Sequence, residues 1–314
     1  MKAAFFRSTL ALALALAFAV PAFAADPVPA ATSAVVASNG PAERFDAGIL
    51  AVERHGNRGV PLILVPGLSS GAWAWQDLVR RLKGEHVIYV VTLPGFDGRA
   101  AVPGPVFDKV GDSLRQLIAA RKLDRPVVIG HSLGGALAIA LGETDARLLR
   151  GVVAIDGLPV FPGTEQTPPA MRGQMAQAMK ARMAAQDPAK FAEQQQQYMH
   201  GMGVIEPKLA DELGALSARS DPAAVASIMA ELLEKDLRAG LPNIKVPLLL
   251  VAPYYDKDGT LRGISQPMAK EYYTSLMAGT PQLTVASIAP SRHFVMFDQP
   301  EQLEKTLRDF IKPL

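Results

Sequence analysis

The chain has 314 residues, and its 32 lysines and arginines nearly balance its 30 aspartates and glutamates, which leaves a formal net charge of +2. This balance gives no single-sign field that would recruit nucleic acid, and 49% hydrophobic with 20% charged residues is typical of a globular protein with a sizeable core. The sequence contains no cysteine, which excludes disulfides, thiolate metal sites and a thiol nucleophile.

The N-terminus has the pattern of a processing segment followed by a leader. Basic residues precede an apolar run from Leu10 to Val20, and the small residues Ala22 and Ala24 offer a cleavage position. The run is shorter than the ~20 residues that span a bilayer, so we expect a signal peptide over residues 1–24. Residues 25–44 are rich in Pro, Ala and Ser, which predicts a flexible leader. The protein is therefore expected to be periplasmic or secreted, with no membrane span after cleavage.

From Phe45 onward, short β-rich apolar runs alternate with segments of helical period. This alternation predicts an α/β fold in which helices flank a mostly parallel sheet. Several runs lack polar alternation, as expected for strands that are buried on both faces. The predicted strands are Gly48–Arg54, Leu62–Val65, His86–Thr92, Val127–Ile129, Val152–Ile155, Leu248–Ala252 and Leu283–Ile288. The predicted helices are Trp75–Lys83, Val106–Arg121, Leu133–Leu141, Met268–Ala278 and Pro300–Ile311.

The alternation stops between Leu158 and Asn243, where the chain has helical character and no β-rich run. We therefore predict a helical lid inserted at residues 158–243, within a core formed by residues 45–157 and 244–314. We expect this lid to cover the functional site.

Four methionines in the predicted lid recur every four residues and would share one helix face. One interpretation is that they pack the insertion onto the main domain. The other is that some of these flexible thioethers line a pocket for an apolar ligand. The four residues are Met171, Met175, Met179 and Met183.

The most informative motif is the pentapeptide GHSLG at Gly130–Gly134, which follows the apolar run Val127–Ile129 and opens a helical segment. A Gly-x-Ser-x-Gly spacing between strand and helix allows a tight turn that presents the serine at strained backbone angles. A phosphate-binding loop would need Gly-x4-Gly-Lys-Ser/Thr, and no such lysine follows. Ser132 is therefore the candidate nucleophile.

A serine hydroxyl is a weak nucleophile and needs a base and an orienting acid. His293 follows the last predicted strand and precedes the C-terminal helix, which makes it the candidate base. His131 lies in the serine turn and is expected to point away from the nucleophile as a supporting residue. Surface or packing roles fit His55, His86 and His200 better.

These motifs resemble those of the α/β-hydrolase superfamily, in its lid-bearing, esterase-like branch, from about Phe45 to the C-terminus. The matching segments are Val65-Pro66-Gly67-Leu68, Trp73-Ala74-Trp75, Leu93-Pro94-Gly95-Phe96, the serine turn, Ser291-Arg292-His293-Phe294 and Asp298-Gln299-Pro300-Glu301. Relatives usually have Gly before the histidine, where this chain has Arg292. The resemblance implies that the backbone N–H groups of Leu68 and Leu133 form an oxyanion hole.

The resemblance allows the acid at two positions. Asp156 ends the strand after the serine turn, and Asp256 follows the strand beyond the insertion. A carboxylate at an apolar strand end is costly unless it is paired, which favours Asp156. Asp256 lies in a polar turn and stays open as the alternative.

Together the motifs predict a serine hydrolase that cleaves a small apolar carboxylic ester through an acyl-enzyme, with no cofactor and no metal. Perhydrolysis, amide cleavage and carbon–carbon bond hydrolysis are alternatives that use the same three residues. A non-catalytic binding protein on the same fold is the alternative from a different class.

Overall fold

The computed structural model describes residues 36–184 and 186–314, so the expected signal peptide and most of the expected leader lie outside the described residues. Within that part of the chain, eight strands form one sheet. They are β1 (Glu43–Ala47), β2 (Leu50–His55), β3 (Leu62–Val65), β4 (Ile88–Thr92), β5 (Val127–His131), β6 (Gly151–Ile155), β7 (Leu248–Pro253) and β8 (Leu283–Ile288). Their order across the sheet is β1-β2-β4-β3-β5-β6-β7-β8.

Helices flank this sheet and fill the connections between its strands. The helices before β7 are α1 (Gln76–Leu82), α2 (Phe107–Ala120), α3 (Leu133–Asp145), α4 (Pro169–Ala184), α5 (Pro188–Tyr198), α6 (Pro207–Ser217) and α7 (Pro222–Glu234). Those after β7 are α8 (Asp256–Arg262), α9 (Gln266–Leu276), α10 (Val295–Asp298) and α11 (Pro300–Ile311). The predicted α/β fold is confirmed. Among the described residues, no helix combines the length and apolarity needed to cross a bilayer.

The sheet is mostly parallel, because only the pairings of β1 with β2 and of β2 with β4 are antiparallel. The parallel strands end at one edge, where His131 of β5 lies in register with Ile155 of β6. Ser132 and Asp156 therefore leave neighbouring strands at the same level. Glu43 and Arg44, which the sequence assigned to the leader, are instead the first residues of β1, because they pair with β2.

The central strands carry apolar residues on both faces, which explains their unbroken apolar runs. Along β3, Ile63 and Val65 belong to one hydrophobic cluster, whereas Leu62 and Leu64 belong to the cluster on the other face. Successive side chains of a strand point to opposite faces, so the sheet separates two cores. Each fully buried aliphatic side chain contributes about 1.5–3 kcal/mol.

The insertion between β6 and β7, residues 158–243, contains the four helices α4 to α7. Three of them begin with an acidic N-cap whose carboxylate accepts a backbone N–H, followed by proline in the first turn. The carboxylate satisfies a backbone N–H that has no partner within the helix, and the proline ring fixes φ near its helical value. The N-cap residues are Asp187 of α5, Glu206 of α6 and Asp221 of α7.

Two groups of hydrogen bonds hold the insertion on the core. On one side, Glu231 of α7 accepts the backbone N–H of Phe107 at 2.7 Å, at the N-terminus of α2. A carboxylate is favourable there because the helix dipole is positive at that end. On the other side, Phe294 N–H donates to the Gly203 carbonyl oxygen at 3.0 Å. The insertion is thus fastened at both flanks.

The four methionines of α4 do not share one environment. Met171 is 53% exposed and Met175 is 43% exposed, whereas Met179 packs inside the insertion and Met183 packs against the main core. Four residues advance a helix by more than one full turn, so each step rotates the side chain by about 40°. The packing interpretation therefore describes only the C-terminal pair.

Candidate active site

Ser132 occupies a left-handed turn between β5 and α3, with φ 53° and ψ −117°. Its N–H donates to the Ile155 carbonyl oxygen at 2.9 Å, which fixes the turn to the neighbouring strand. A Cβ on Gly130 would lie 1.9 Å from the Gly134 carbonyl oxygen, and one on Gly134 would lie 2.1 Å from the Val65 carbonyl oxygen. Only glycine fits at these two positions, and backbone strain of this kind is stored at functional sites.

His293 meets Asp156 across the end of the sheet. The imidazole Nδ1 lies 2.5 Å from Asp156 Oδ2, and the side chains are 17% and 13% exposed, respectively. Because a carboxylate oxygen can only accept, Nδ1 carries the proton in this contact, and Nε2 is left as the acceptor when the ring is neutral. Asp156 itself adopts φ 47° directly after β6, and its N–H donates to the Val251 carbonyl oxygen at 2.9 Å.

Asp156 accepts a second hydrogen bond, which comes from helix α9. The Tyr273 hydroxyl of α9 donates to Asp156 Oδ1, so each carboxylate oxygen has its own hydrogen bond. Burial and the negative charge of Asp156 raise the pKa of Tyr273 well above its ordinary value. The phenol therefore stays protonated and acts as a donor.

The alternative acid, Asp256, makes a different contact. It is the first residue of α8, and its Oδ1 accepts a hydrogen bond from the Tyr254 hydroxyl at 3.2 Å. The structure brings Asp156, and not this residue, to the imidazole of His293.

His131 is completely buried beside the candidate base. Its Nε2 lies 3.0 Å from the His293 carbonyl oxygen, and the two imidazole centroids are 4.5 Å apart. Burial, with the nearby His293 ring, lowers the pKa of His131 well below its ordinary value. Since a carbonyl only accepts, the neutral ring donates from Nε2. This is the supporting position that the sequence indicated.

The loop that carries His293 is tied to the insertion by backbone hydrogen bonds. His293 N–H donates to the Met202 carbonyl oxygen at 3.2 Å, and the next residue pairs with Gly203. The Tyr198 ring meets the imidazole edge-on, with centroids 6.0 Å apart and planes at 82°. The candidate base thus depends on the insertion for part of its support.

Arg292, which replaces the glycine usual among relatives, strengthens this loop. Its Nε and Nη2 donate to the two carboxylate oxygens of Asp258 at 2.9 and 3.0 Å. Its Nη1 donates to the His200 carbonyl oxygen at 2.6 Å, and its backbone N–H donates to Asp298 Oδ2 at 2.8 Å. We call this set of contacts the Arg292 clamp. It joins the His293 loop to α8 and to the insertion.

The loop after β3 lies against the serine turn. A Cβ on Gly67 would come within 3.1 Å of Ser132 Cβ, so Leu68 follows a residue in contact with the serine. Leu133 is the first residue of α3, next to the serine in the chain. Both predicted oxyanion donors therefore belong to segments that border Ser132.

The remaining histidines make contacts away from this cluster. Nε2 of His55 lies 3.4 Å from Glu53, Nδ1 of His86 lies 3.1 Å from the Val60 carbonyl oxygen, and Nε2 of His200 lies 2.7 Å from Asp211. No group of three or more metal-ligating side chains is present in the described part of the chain.

Two residues of the cluster were missed by sequence reasoning. Tyr198 and Tyr273 lie on helices α5 and α9, and no motif surrounds either of them. Their proximity to His293 and Asp156 arises from tertiary packing. The only available signal was the cost of an unpaired carboxylate at an apolar strand end, which calls for partners without naming them.

Three comparisons relate this chain to known proteins. Residues 62–306 match the model described as the alpha/beta hydrolase family. A curated relative, the 2-succinyl-6-hydroxy-2,4-cyclohexadiene-1-carboxylate synthase of Shigella sonnei (strain Ss046), is 27% identical over 254 residues, covering 77% of this chain and 97% of the relative.

Among solved structures, a thermophilic esterase from Thermogutta terrifontis superposes with a TM-score of 0.70 at 21% identity, over 87% of this chain and 99% of the esterase. The enol-lactonase from Burkholderia xenovorans LB400 gives a TM-score of 0.61 at 18% identity, over 84% of this chain and 96% of the lactonase. At these identities the two structures show a shared fold.

Proposed function

The chain belongs to the alpha/beta hydrolase family, and we propose that it is a serine hydrolase that cleaves a carboxylic ester through an acyl-enzyme intermediate. The observation that carries the proposal is the 2.5 Å contact between His293 Nδ1 and Asp156 Oδ2. It lies at the sheet edge where Ser132 occupies its left-handed turn. In the chain these residues follow the order serine, acid, histidine that is usual on this fold.

In the proposed reaction, His293 Nε2 takes the Ser132 proton while the serine oxygen bonds to the acyl carbon. The imidazolium then returns the proton to the departing alkoxide, and the alcohol leaves. Water, deprotonated by the same imidazole, then attacks the acyl carbon. The bond to the Ser132 oxygen breaks, the imidazolium returns the proton to that oxygen, and the acid leaves. Asp156 holds the required tautomer and stabilises the imidazolium. The backbone N–H groups of Leu68 and Leu133 are the proposed donors to the oxyanion.

The residues next to the serine favour an apolar substrate. Leu68 follows Gly67, which contacts the Ser132 side chain, and Leu158 follows Gly157, where a Cβ would lie 2.8 Å from the Ser132 carbonyl oxygen. Both leucines are partly buried against the main hydrophobic core. We therefore propose a small apolar ester as the substrate, with the insertion covering the serine as a lid.

The name of the curated synthase relative suggests a second candidate, a reaction whose product carries carboxylate groups. Binding such a compound calls for cationic side chains in the site. Arg172 and Arg238 both pair with Asp236, and Arg292 pairs with Asp258. Each of these three arginines thus already has a carboxylate partner, which favours the uncharged ester.

The test is turnover of p-nitrophenyl esters of graded acyl length by the wild type and by Ser132→Ala. We expect turnover by the wild type, and a loss of several orders of magnitude in the variant with no change in its unfolding transition. A fluorophosphonate probe should label the wild type and not the variant. Equal turnover by the folded variant would exclude Ser132 as the nucleophile, and absence of both turnover and labelling in the wild type would favour a binding protein.

A further inference from the structure

A carboxylate that orients a histidine must itself be held in place. Asp156 sits at a strand end with φ 47°, and rotation about its Cβ–Cγ bond would exchange or withdraw the oxygen that meets His293 Nδ1. The imidazole bond engages only Oδ2. A second constraint on Oδ1 is needed to fix the plane of the carboxylate.

The Tyr273 hydroxyl meets this requirement. It donates to Oδ1, while the body of the ring packs against the main hydrophobic core. A tyrosine has only two side-chain torsions to restrain, so a packed ring holds its hydroxyl at a defined point. The donor comes from α9, which packs against β7 and β8.

We propose that Tyr273 is a positioning residue for the reaction, which keeps Asp156 Oδ2 directed at His293 Nδ1. This inference deepens the proposed function and rests on it for the identity of the reaction. The tyrosine acts through the aspartate and touches neither the substrate nor the serine.

The same bond tunes the electrostatics of the pair. A hydrogen bond to Oδ1 withdraws negative charge from the carboxylate. The aspartate therefore stabilises an imidazolium less than a carboxylate without that hydrogen bond would. The other titratable groups around the pair are His131 on the β5 side and Tyr198 on α5. His131 stays neutral because of its burial, and Arg292 directs its guanidinium at Asp258. Deleting the Tyr273 hydroxyl returns that charge to the carboxylate but releases Oδ2 from its position at Nδ1. A positioning role therefore predicts a less stable imidazolium, whereas a purely electrostatic role predicts a more stable one.

Tyr272 provides a matched control. It precedes Tyr273 on α9, and its hydroxyl also donates to a carboxylate, that of Glu165 in the insertion. The two rings meet edge-on with centroids 6.1 Å apart. Each Tyr→Phe change removes one oxygen and one charge-assisted hydrogen bond, but only the change at 273 touches Asp156.

The experiment compares Tyr273→Phe with Tyr272→Phe by NMR titration of the His293 imidazole, whose resonance is assigned by its loss in His293→Gln. We expect the midpoint to fall by ~0.5 pH unit in Tyr273→Phe and to stay unchanged in Tyr272→Phe. With an ester substrate, kcat should fall ~10-fold in Tyr273→Phe at unchanged KM.

The titration needs no substrate, so it tests the role of Tyr273 even if no ester is turned over and the proposed function fails. Denaturant unfolding of both variants measures any loss of stability separately. Equal midpoints in the two variants, or a higher midpoint in Tyr273→Phe, would overturn the proposal. A fall in kcat shared equally by both variants would do the same.

Discussion

His131 donates a hydrogen bond from Nε2 to the backbone carbonyl oxygen of His293, over 3.0 Å. The residue that precedes the candidate nucleophile thus holds the backbone of the candidate base. The two imidazoles are in contact, yet their surroundings differ: His131 is completely buried, whereas the His293 side chain keeps 17% of its surface exposed. One ring is a fixed neutral donor, and the other is partly open to solvent.

The buried state of His131 predicts acid lability. Its pKa is lowered in the folded protein, so the unfolded chain binds a proton that the native state refuses. This contribution to stability is fully present above the unfolded value of about 6.5 and is lost as the pH falls below it. In His131→Gln, the side-chain amide can still donate but does not titrate. Urea unfolding between pH 7.5 and pH 5 should show a smaller loss of stability in the variant, and identical losses would contradict the prediction.

The choice of acid predicts a ranking of two variants. Asp156→Asn keeps the shape but favours the wrong imidazole tautomer, so ester turnover should fall by about 10⁴-fold, the size of the effect in well-studied triads. Asp256→Asn changes a contact with Tyr254 only and should leave turnover nearly unaltered. Steady-state kinetics on the two purified variants measures this ranking. The reverse ranking would make Asp256 the acid and leave the roles of Ser132 and His293 in place.

The Arg292 clamp predicts a stability difference between two ion pairs. Arg292→Met would leave Asp258 without its partner, and the pair is only 17% and 25% exposed, so we expect a loss of about 2–3 kcal/mol. Lys305→Met breaks a pair that is 78% and 66% exposed and should cost less than about 0.5 kcal/mol. Urea unfolding at one pH measures both. Similar costs for the two variants would show that the clamp is no stronger than a surface pair.

The serine turn predicts opposite effects of the same substitution in two helices. Gly134→Ala in α3 would place a methyl group 2.1 Å from the Val65 carbonyl oxygen, so the turn must shift and both stability and turnover should drop. On α4, Gly173 has nothing within 4 Å of the added Cβ, and Gly173→Ala should stabilise by about 0.5–1 kcal/mol. Thermal unfolding compares the two. A tolerated methyl at 134 would mean that the turn does not need glycine there.

The local parts of this fold could be predicted from the sequence. Strands β3 and β8 have the predicted bounds. β3 is a fully buried apolar run, whereas β8 is a short β-rich run, LTVASI, that is mostly half-buried. The edge strand β1 was missed, since its sequence ERFDA is polar and half-exposed. It forms by pairing with β2, which no local pattern reveals.

In the candidate site, too, the residues with a local sequence signal were predicted and those that depend on tertiary packing were not. Ser132 and His293 were recognised because a turn motif and a position between strand and helix are features of contiguous sequence. The acid was left between two aspartates, since the decision depends on which strand end reaches the imidazole. Tyr273 contacts a residue 117 positions away, and that contact becomes visible only when α9 packs against β7 and β8.

The hydrogen bonds from the His293 loop to Met202 and Gly203 bear on chimaera construction within this family. The insertion could be replaced by that of a relative in order to change substrate preference. In this protein, however, the insertion also supplies backbone acceptors to the loop of the candidate base, and its His200 carbonyl oxygen accepts a hydrogen bond from Arg292. A transplanted insertion would have to bring equivalent acceptors at the same place. Residues 199–204 and 291–294 should therefore be inherited together in any designed hybrid.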